Sequence, residues 1–310
     1  MPIIKSITYN LNNKAEALID ILSYLEDSIE DIIILSIQEY FQDICIRSKY
    51  KYEYSKKMYG VQLIILSNIK LLVNFYVYCM GMFYMGNKGF IIGIINNSII
   101  CASVHLVHGQ GDLKFKERVY QFSVLDKIVR NKCKMIILSG DFNFRFTKKV
   151  EAVPNKTVFS HYDQFYTVTN KYKYLEEDIT FGFTYKYNKK EELSSTRIPS
   201  YCDRIIYKQN EDFSILKYKS LSDLVNSDHR PVYLLVSVKD IQYSDPVNLN
   251  TCWFYKKVVE VDTINGSPLE IEMWCTDEKY TKNIYVYKCD VCNKEFDENR
   301  KLLLHRNYHK

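Results

Sequence analysis

Short apolar runs that stop abruptly at polar residues recur between Ile3 and Val238. Ile3 to Tyr9, Ile32 to Ile37, Ile99 to Val104, Met135 to Ser139, Ile205 to Tyr207 and Pro231 to Val238 are each too short for a buried helix. Bounded by polar residues, they predict buried strands. Ile205 to Tyr207 and Pro231 to Val238 are expected to be neighbours. Helical spacing occurs from Lys14 to Leu25, where Ala17, Leu18, Ile21, Leu22 and Leu25 share a face, and again from Lys114 to Val129. Strands outnumber helices, and no helix follows each strand regularly. The expected fold class is therefore α/β (α+β), a two-sheet sandwich with outer helices, rather than a parallel doubly wound sheet.

The residues that end these runs carry the chemistry. Gln38-Glu39, His105, Gly140-Asp141-Phe142-Asn143-Phe144-Arg145, Cys202-Asp203-Arg204 and Ser227-Asp228-His229-Arg230 all stand at predicted strand ends. One Asp or Asn there often only closes a turn. Glu39, His105, Asp141, Asn143, Asp203, Asp228 and His229 together point to a site, because ionisable groups at buried strand ends are costly unless something uses them. Metal-assisted phosphate hydrolysis needs an acidic ligand, a base for water and donors to the phosphoryl oxygens. Glu39 suits Mg2+, which prefers one or two carboxylates and keeps several waters, and Asn10, just past the first run, would help. Asp141 and the pair Asp203 with His229 are candidates for activating water. His105 and Asn143 would donate to a phosphoryl oxygen.

Composition narrows the setting. The 310 residues are 47% hydrophobic, as in a globular protein, and Lys plus Arg exceed Asp plus Glu by 42 − 37 = 5, a mild bias toward anionic partners. Met1 to Ser6 has no signal-peptide features, and no apolar run reaches the ~18 residues of a membrane span. Most of the nine cysteines stand singly, so reduced thiols and a cytoplasmic or nuclear location are expected.

Gly140 to Arg145, Pro199-Ser200-Tyr201-Cys202-Asp203-Arg204 and Ser227 to Val232 resemble the signature motifs of the inositol polyphosphate 5-phosphatases. These belong to a superfamily of endonucleases, exonucleases and phosphatases with a four-layer α/β sandwich. Gln38-Glu39 resembles the metal-ligand motif, Gly86-Asn87-Lys88-Gly89 the glycine-rich lysine loop, and Ser103-Val104-His105-Leu106 the histidine strand. Thr184-Tyr185-Lys186-Tyr187 is similar to the segment that grips a neighbouring ring phosphate.

The resemblance implies Mg2+-dependent removal of the 5-phosphate from phosphoinositides or soluble inositol polyphosphates by direct attack of water. Asp141 would orient or deprotonate that water, Asn143 and His105 would steady the transition state, and Asp203 would hold His229 near the scissile phosphate. Asp228 would support the metal and water network. Lys88, Tyr185, Lys186, Arg197 and Arg204 would cradle the other phosphates. The chain departs from the pattern at Phe90, where a second glycine is usual, at Ser195-Thr196-Arg197, which lacks one lysine, and at Glu117-Arg118-Val119-Tyr120. Reaction type is thereby better specified than substrate. The rivals are a superfamily nuclease acting on DNA or RNA, an inactive phosphoinositide-binding scaffold, and a sphingomyelinase-like phosphodiesterase.

Three domains are expected: a catalytic domain over 1–240, a turn-rich connector over 241–284 with a hairpin around Asn265-Gly266, and a small ββα module over 285–310. In that module Cys289, Cys292, His305 and His309, with Tyr287, Phe296 and Leu302 as core, satisfy the C2H2 zinc-finger pattern for structural Zn2+. The positions that face bases in such a finger are Glu298, Arg300, Lys301 and Leu304, of which the acid and the leucine are poor general readers of a guanine-rich groove. Protein or membrane-surface contact, without a transmembrane segment, is expected ahead of nucleic acid.

Overall fold

The computed structural model describes residues 1–44, 46, 48–81, 86–150, 156–188, 192–208, 213–239, 241 and 249, with the backbone of four short strands farther on. The chain divides into two compact units, Met1–Val247 and Asn248–Lys310.

In the first unit the predicted strands form two sheets. One sheet comprises β1 (Ile3–Asn10), β2 (Ile32–Gln38), β3 (Tyr52–Met58), β4 (Val61–Ser67), β10 (Phe213–Ser220) and β11 (Val232–Val238), in the order β10-β11-β1-β2-β4-β3. The other comprises β5 (Val73–Cys79), β6 (Gly89–Ile95), β7 (Ile99–His105), β8 (Met135–Asp141) and β9 (Asp203–Lys208), in sequence order. Both are mixed, with β1–β2 and β7–β8 parallel and the other pairs antiparallel.

Helix α1 (Ala15–Glu26) packs Ala17, Ile21 and Leu25 against the outer face of the first sheet, on Ile33, Leu35, Ile64 and Leu66. Helix α2 (Asp112–Val129) lies beside the second sheet, where its Asp126 receives Lys208 of β9. It is joined there by α4 (Gln164–Tyr172) through Phe122 and Phe165, and α4 is preceded by the short α3 (Lys156–Tyr162). The expected α+β sandwich is thus present.

The expectation that the Ile205 and Pro231 runs are neighbouring strands is corrected: β9 belongs to the second sheet and β11 to the first. Both runs are apolar because both face the inter-sheet core, where Ile205 and Tyr207 join Val232, Leu234 and Val236 in one cluster. Burial leaves the same mark on a strand whether its partner is beside it or across the core.

Alternation along the strands sorts that core by polarity. Ile4, Ile32, Ile34, Ile91, Ile137 and Ile205 pack together at one end. Toward the other end, the positions two and four residues past Ile4, Ile34 and Ile137 are polar: Ser6 and Thr8, Ser36 and Gln38, Ser139 and Asp141. Ser36 and Ser139 meet at 2.7 Å across the sheets, Ser6 donates to Ser139 at 3.4 Å, and Gln38 donates to Ser103 at 3.4 Å. The sandwich therefore opens on a polar end made by the strands themselves.

In the second unit, β12 (Tyr255–Val258), β13 (Leu269–Trp274), β14 (Ile284–Lys288) and β15 (Glu295–Phe296) pair antiparallel in sequence order. Cys289, Cys292, His305 and His309 lie outside the described residues.

Candidate active site

Gly89, His105, Asp141 and Asp203 occupy one row across the second sheet, each the register partner of the next. Facing them, Asn10 and Gln38 pair at the ends of β1 and β2. Asn10 Nδ2 donates to Asp141 Oδ2 at 3.0 Å, closing the gap between the sheets. Glu39 follows β2 in the left-handed region, at φ 54°. Its Oε1 lies 3.4 Å from His105 Nε2 and 3.7 Å from Lys88 Nζ, while His105 Nε2 is 3.5 Å from Asp141 Oδ2. Lys88 Nζ also touches His105 Nε2. Gly89 makes this approach possible: at φ 130° its Cβ would stand 2.0 Å from the Tyr78 carbonyl.

His229 arrives on the turn before β11. Ser227 Oγ donates to the Asn10 carbonyl at 2.7 Å and accepts from His229 N–H at 3.2 Å, tying that turn to the end of β1. His229 Nδ1 lies 2.7 Å from Asp203 Oδ2. One ligand atom from each of Asp141, Asp203 and His229 falls within 4.8 Å of the others. Residues far apart in sequence, Asn10, Glu39, Lys88, His105, Asp141, Asp203 and His229, thus share one pocket.

Asn143, at φ 57°, donates its N–H to Asp141 Oδ1 at 2.9 Å and its Nδ2 to the Leu106 carbonyl at 3.1 Å. Its Oδ1 accepts from Arg145 Nη2 at 2.6 Å. Arg145 closes the same motif, and nothing in its position along the sequence points to its partners. In the structure its guanidinium lies 4.3 Å from the centroid of Tyr185, whose ring is tilted against that of His229 with centroids 4.5 Å apart. Lys186 Nζ is 3.1 Å from Asp228 Oδ2, so Asp228 pairs with a cation at the rim. Arg197 is exposed, and its charge is felt at Lys186.

Arg204 is corrected. Its guanidinium is buried and occupied by Glu176 and Asp163, with Nε donating to Glu176 Oε1 at 2.6 Å and Nη1 to Asp163 Oδ2 at 2.9 Å. Neighbours on a strand point to opposite faces. With Asp203 in the pocket, alternation already sends Arg204 the other way. That signal was present in the sequence.

Burial and charge set the protonation states. Burial pushes the Glu39 carboxyl up, but His105, Lys88 and His229 outweigh it and hold it well below the usual range. Asp141 is likewise lowered, burial being overcome by His229, His105, Lys88 and Arg145. For Asp203 burial wins and its carboxyl is raised. Burial alone would lower His229, yet the Asp203 carboxylate raises it, so this pair rests as imidazolium and carboxylate. Burial and then Lys88 lower His105, which stays neutral with one donor nitrogen.

Asp141, Asp203 and His229 are the group at metal spacing among the described residues; Glu39 stands outside it, beside His105, and its carboxylate with the Asn10 amide offers the hard oxygen donors that suit a cation such as Mg2+. Asp203 Oδ1 is buried without a hydrogen-bond partner, and the carboxylate of Glu39 is partly open. The Asn10 side-chain oxygen already accepts from Asn12 N–H at 3.0 Å, leaving one lone pair.

Two mixed sheets between helices, with acids and imidazoles gathered at one end, define a sandwich of the endonuclease, exonuclease and phosphatase type. Residues 46–235 match the family described as Endonuclease/Exonuclease/phosphatase family 2, and the chain belongs to it. Over 143 residues it is 32% identical to the phosphatidylinositol 4,5-bisphosphate 5-phosphatase INP51 of Saccharomyces cerevisiae, covering 40% of this chain and 15% of the yeast protein. Over 65 residues it is 38% identical to a protein of Encephalitozoon cuniculi named as a C2H2 zinc-finger protein, covering 18% of this chain and 39% of that one. The chain thus matches well under half the length of either.

Among solved structures, the inositol polyphosphate 5-phosphatase domain of SPsynaptojanin, in complex with inositol (1,4)-bisphosphate and calcium ion, superposes with a TM-score of 0.60 at 24% identity. That match covers 77% of this chain and 86% of the domain. A Cimex nitrophorin ferrous NO complex superposes at 0.59 with 16% identity, over 76% of this chain and 98% of that one. Similarity of fold is thus shared with a protein named for quite different chemistry, and function must be argued from the site.

Proposed function

We propose that this chain is a Mg2+-dependent phosphatase that hydrolyses the 5-phosphate of phosphoinositides or soluble inositol polyphosphates by direct attack of water. The observation that carries this reading is the convergence of Glu39, Asp141, His105 and the Asp203–His229 pair in one pocket, beneath the segment bearing Tyr185 and Lys186. The yeast relative, named as a phosphatidylinositol 5-phosphatase, supports the substrate class.

Glu39, assisted by Asn10, would hold the Mg2+, which when bound offsets charge on the phosphoryl group. Asp141, fixed by Asn10 and by the Asn143 N–H, orients the attacking water and takes its proton. His229, kept cationic by Asp203, and neutral His105 donate to phosphoryl oxygens as charge builds there. Asn143 steadies the same turn, and its second amide hydrogen is available to substrate. Asp228 orients Lys186. Lys88 sits deep beside Glu39 and His105, while Tyr185, Lys186 and Arg197 meet the ring phosphates that are not removed. Four described cysteines, Cys79, Cys101, Cys133 and Cys202, are free thiols, which supports a reducing cytoplasmic or nuclear setting. The antiparallel pairing of Tyr287 with Phe296 supports a zinc knuckle at Cys289 and Cys292, with His305 and His309 completing a structural Zn2+ site.

The test is phosphate release from a panel of inositol phosphates and phosphoinositides with Mg2+ or with a chelator, alongside a nicking assay on DNA and RNA. Asp141→Ala and His229→Ala should each lose about 100-fold in rate or more, and chelation should abolish release. Nicking without phosphate release would replace this reading with the nuclease.

A further inference from the structure

The segment that carries Tyr185 and Lys186 is a strap, Leu175 to Tyr187, stitched down along its length. Leu175 exchanges both backbone hydrogen bonds with Tyr207 of β9, at 2.9 and 3.0 Å. Tyr201 Oη donates to the Phe181 carbonyl at 3.0 Å, Asp203 N–H donates to Thr184 Oγ1 at 3.1 Å, and Tyr185 pairs with Ser200. Arg230 N–H donates to the Thr184 carbonyl at 2.8 Å, joining the strap to the His229 turn.

The charged anchor at the root of this strap is Arg204. Its Nε and Nη2 make a two-pronged bond to Glu176, and its Nη1 reaches Asp163, whose other oxygen caps α4 by accepting from Phe165 N–H at 3.0 Å. Glu176 Oε1 also accepts from Tyr218 Oη of β10 at 2.9 Å. The guanidinium lies 4.9 Å from the Phe165 ring centroid. A planar fork matched to one carboxylate, with a second carboxylate on the remaining nitrogen, has geometry that lysine does not reproduce.

We propose that Arg204 is a positioning residue: through Glu176 and Asp163 it fixes the strap, and thereby the placement of Tyr185 and Lys186 over the pocket and of Asp203 under His229. This rests on the phosphatase reading and removes one cation from the substrate's cradle. Arg204 touches no phosphate; it determines where the residues that do so stand.

The experiment is a double-mutant cycle on the full chain with Arg204→Gln, Glu176→Gln and both together, plus Arg204→Lys. Thermal melting and steady-state phosphate release are measured well below every melting point, on two inositol phosphates that differ by one ring phosphate. Each single variant should lose at least about 10-fold in kcat, the scale expected when reacting groups are misplaced by about an ångström. The double variant should be no worse than the poorer single one, since both changes break one network. Arg204→Lys should fail to rescue kcat, and any rise in KM for the more phosphorylated substrate should be matched, within about two-fold, in Arg204→Gln and Glu176→Gln, since both displace the same strap.

A KM increase confined to the more phosphorylated substrate in Arg204→Gln, with Glu176→Gln neutral, would restore Arg204 to the substrate and overturn the proposal. Unchanged kcat in variants that only melt earlier would overturn it too, leaving a structural role alone. If wild type releases no phosphate, the functional reading fails by itself. The melting cycle then still decides the anchor, since additive losses would reject it and coupled losses support it.

Discussion

Glu39, His105, Asp141 and Asp203 stand at the ends of strands whose neighbours are fixed by register, whereas Tyr185, Lys186 and Arg197 ride on a strap and a loop. In the floor His105, Asp141 and Asp203 are buried while Glu39 is partly open, and the acids lie 2.7 to 3.7 Å from Lys88, His105 or His229. The rim is half-open: the Lys186 side chain is 39% exposed and, among the described residues, pairs with one acid, Asp228. Electrostatic interactions gain strength as water is excluded. The floor should therefore carry rate, and the rim should carry recognition.

The comparison breaks most visibly at Asp203. Asp203→Asn keeps the shape but takes away the anion that holds His229 cationic and oriented. We expect kcat to fall roughly 100-fold or more with a near-native melting curve, read by steady-state kinetics beside calorimetry. A smaller loss than that of a rim variant would invert the assignment of roles.

Next in size is Gly140→Ala, which tests how rigid the floor is. A Cβ there would stand 2.0 Å from the Val104 carbonyl, a backbone atom of the parallel neighbour that places His105 beside Asp141. Denaturant titration should show a loss of about 3 kcal/mol or more, at the upper end of overpacking costs. A neutral result would mean that β7 and β8 can part without cost, contrary to a strand-built floor.

The same contrast explains what could be read before the fold was known. Strand ends were legible because an apolar run halting at Glu39, His105, Asp141 or Asp203 marks both burial and the place where burial stops. Which sheet each run joins is not legible in the sequence, because β9 and β11 carry the same apolar mark from opposite sides of one core. Arg204 went astray for another reason: a motif gives residue types in order, while strand alternation decides which face each one meets. The contact of Arg145 with Tyr185 lay beyond reach, because it depends on how a strap near residue 185 returns over a turn near residue 143.

At the rim, Lys186→Ala should raise KM about 10-fold for polyphosphorylated substrates while kcat stays within about two-fold. A hydrogen bond to a charged group is worth roughly 1.5 to 3 kcal/mol and partial exposure favours the low end. Titrating initial rates against substrate concentration separates the two constants. A collapse of kcat would show that the strap helps build the floor directly.

The smallest expected effect lies beneath the floor. Ser36 and Ser139 share a hydrogen bond at 2.7 Å across the sheets, and Ser139 donates to the Ala102 carbonyl at 3.1 Å. Ser36→Ala removes one partner and leaves Ser139 that carbonyl, so the loss of stability should be about 1 kcal/mol, the net value of one such bond. The kinetic constants should hardly move, since Asp141 is fixed from above by Asn10 and the Asn143 N–H. If kcat falls more than about 10-fold while stability changes little, the serine layer transmits position to Asp141. The boundary between scaffold and site would then lie one residue pair deeper along β2 and β8 than the strand ends suggest.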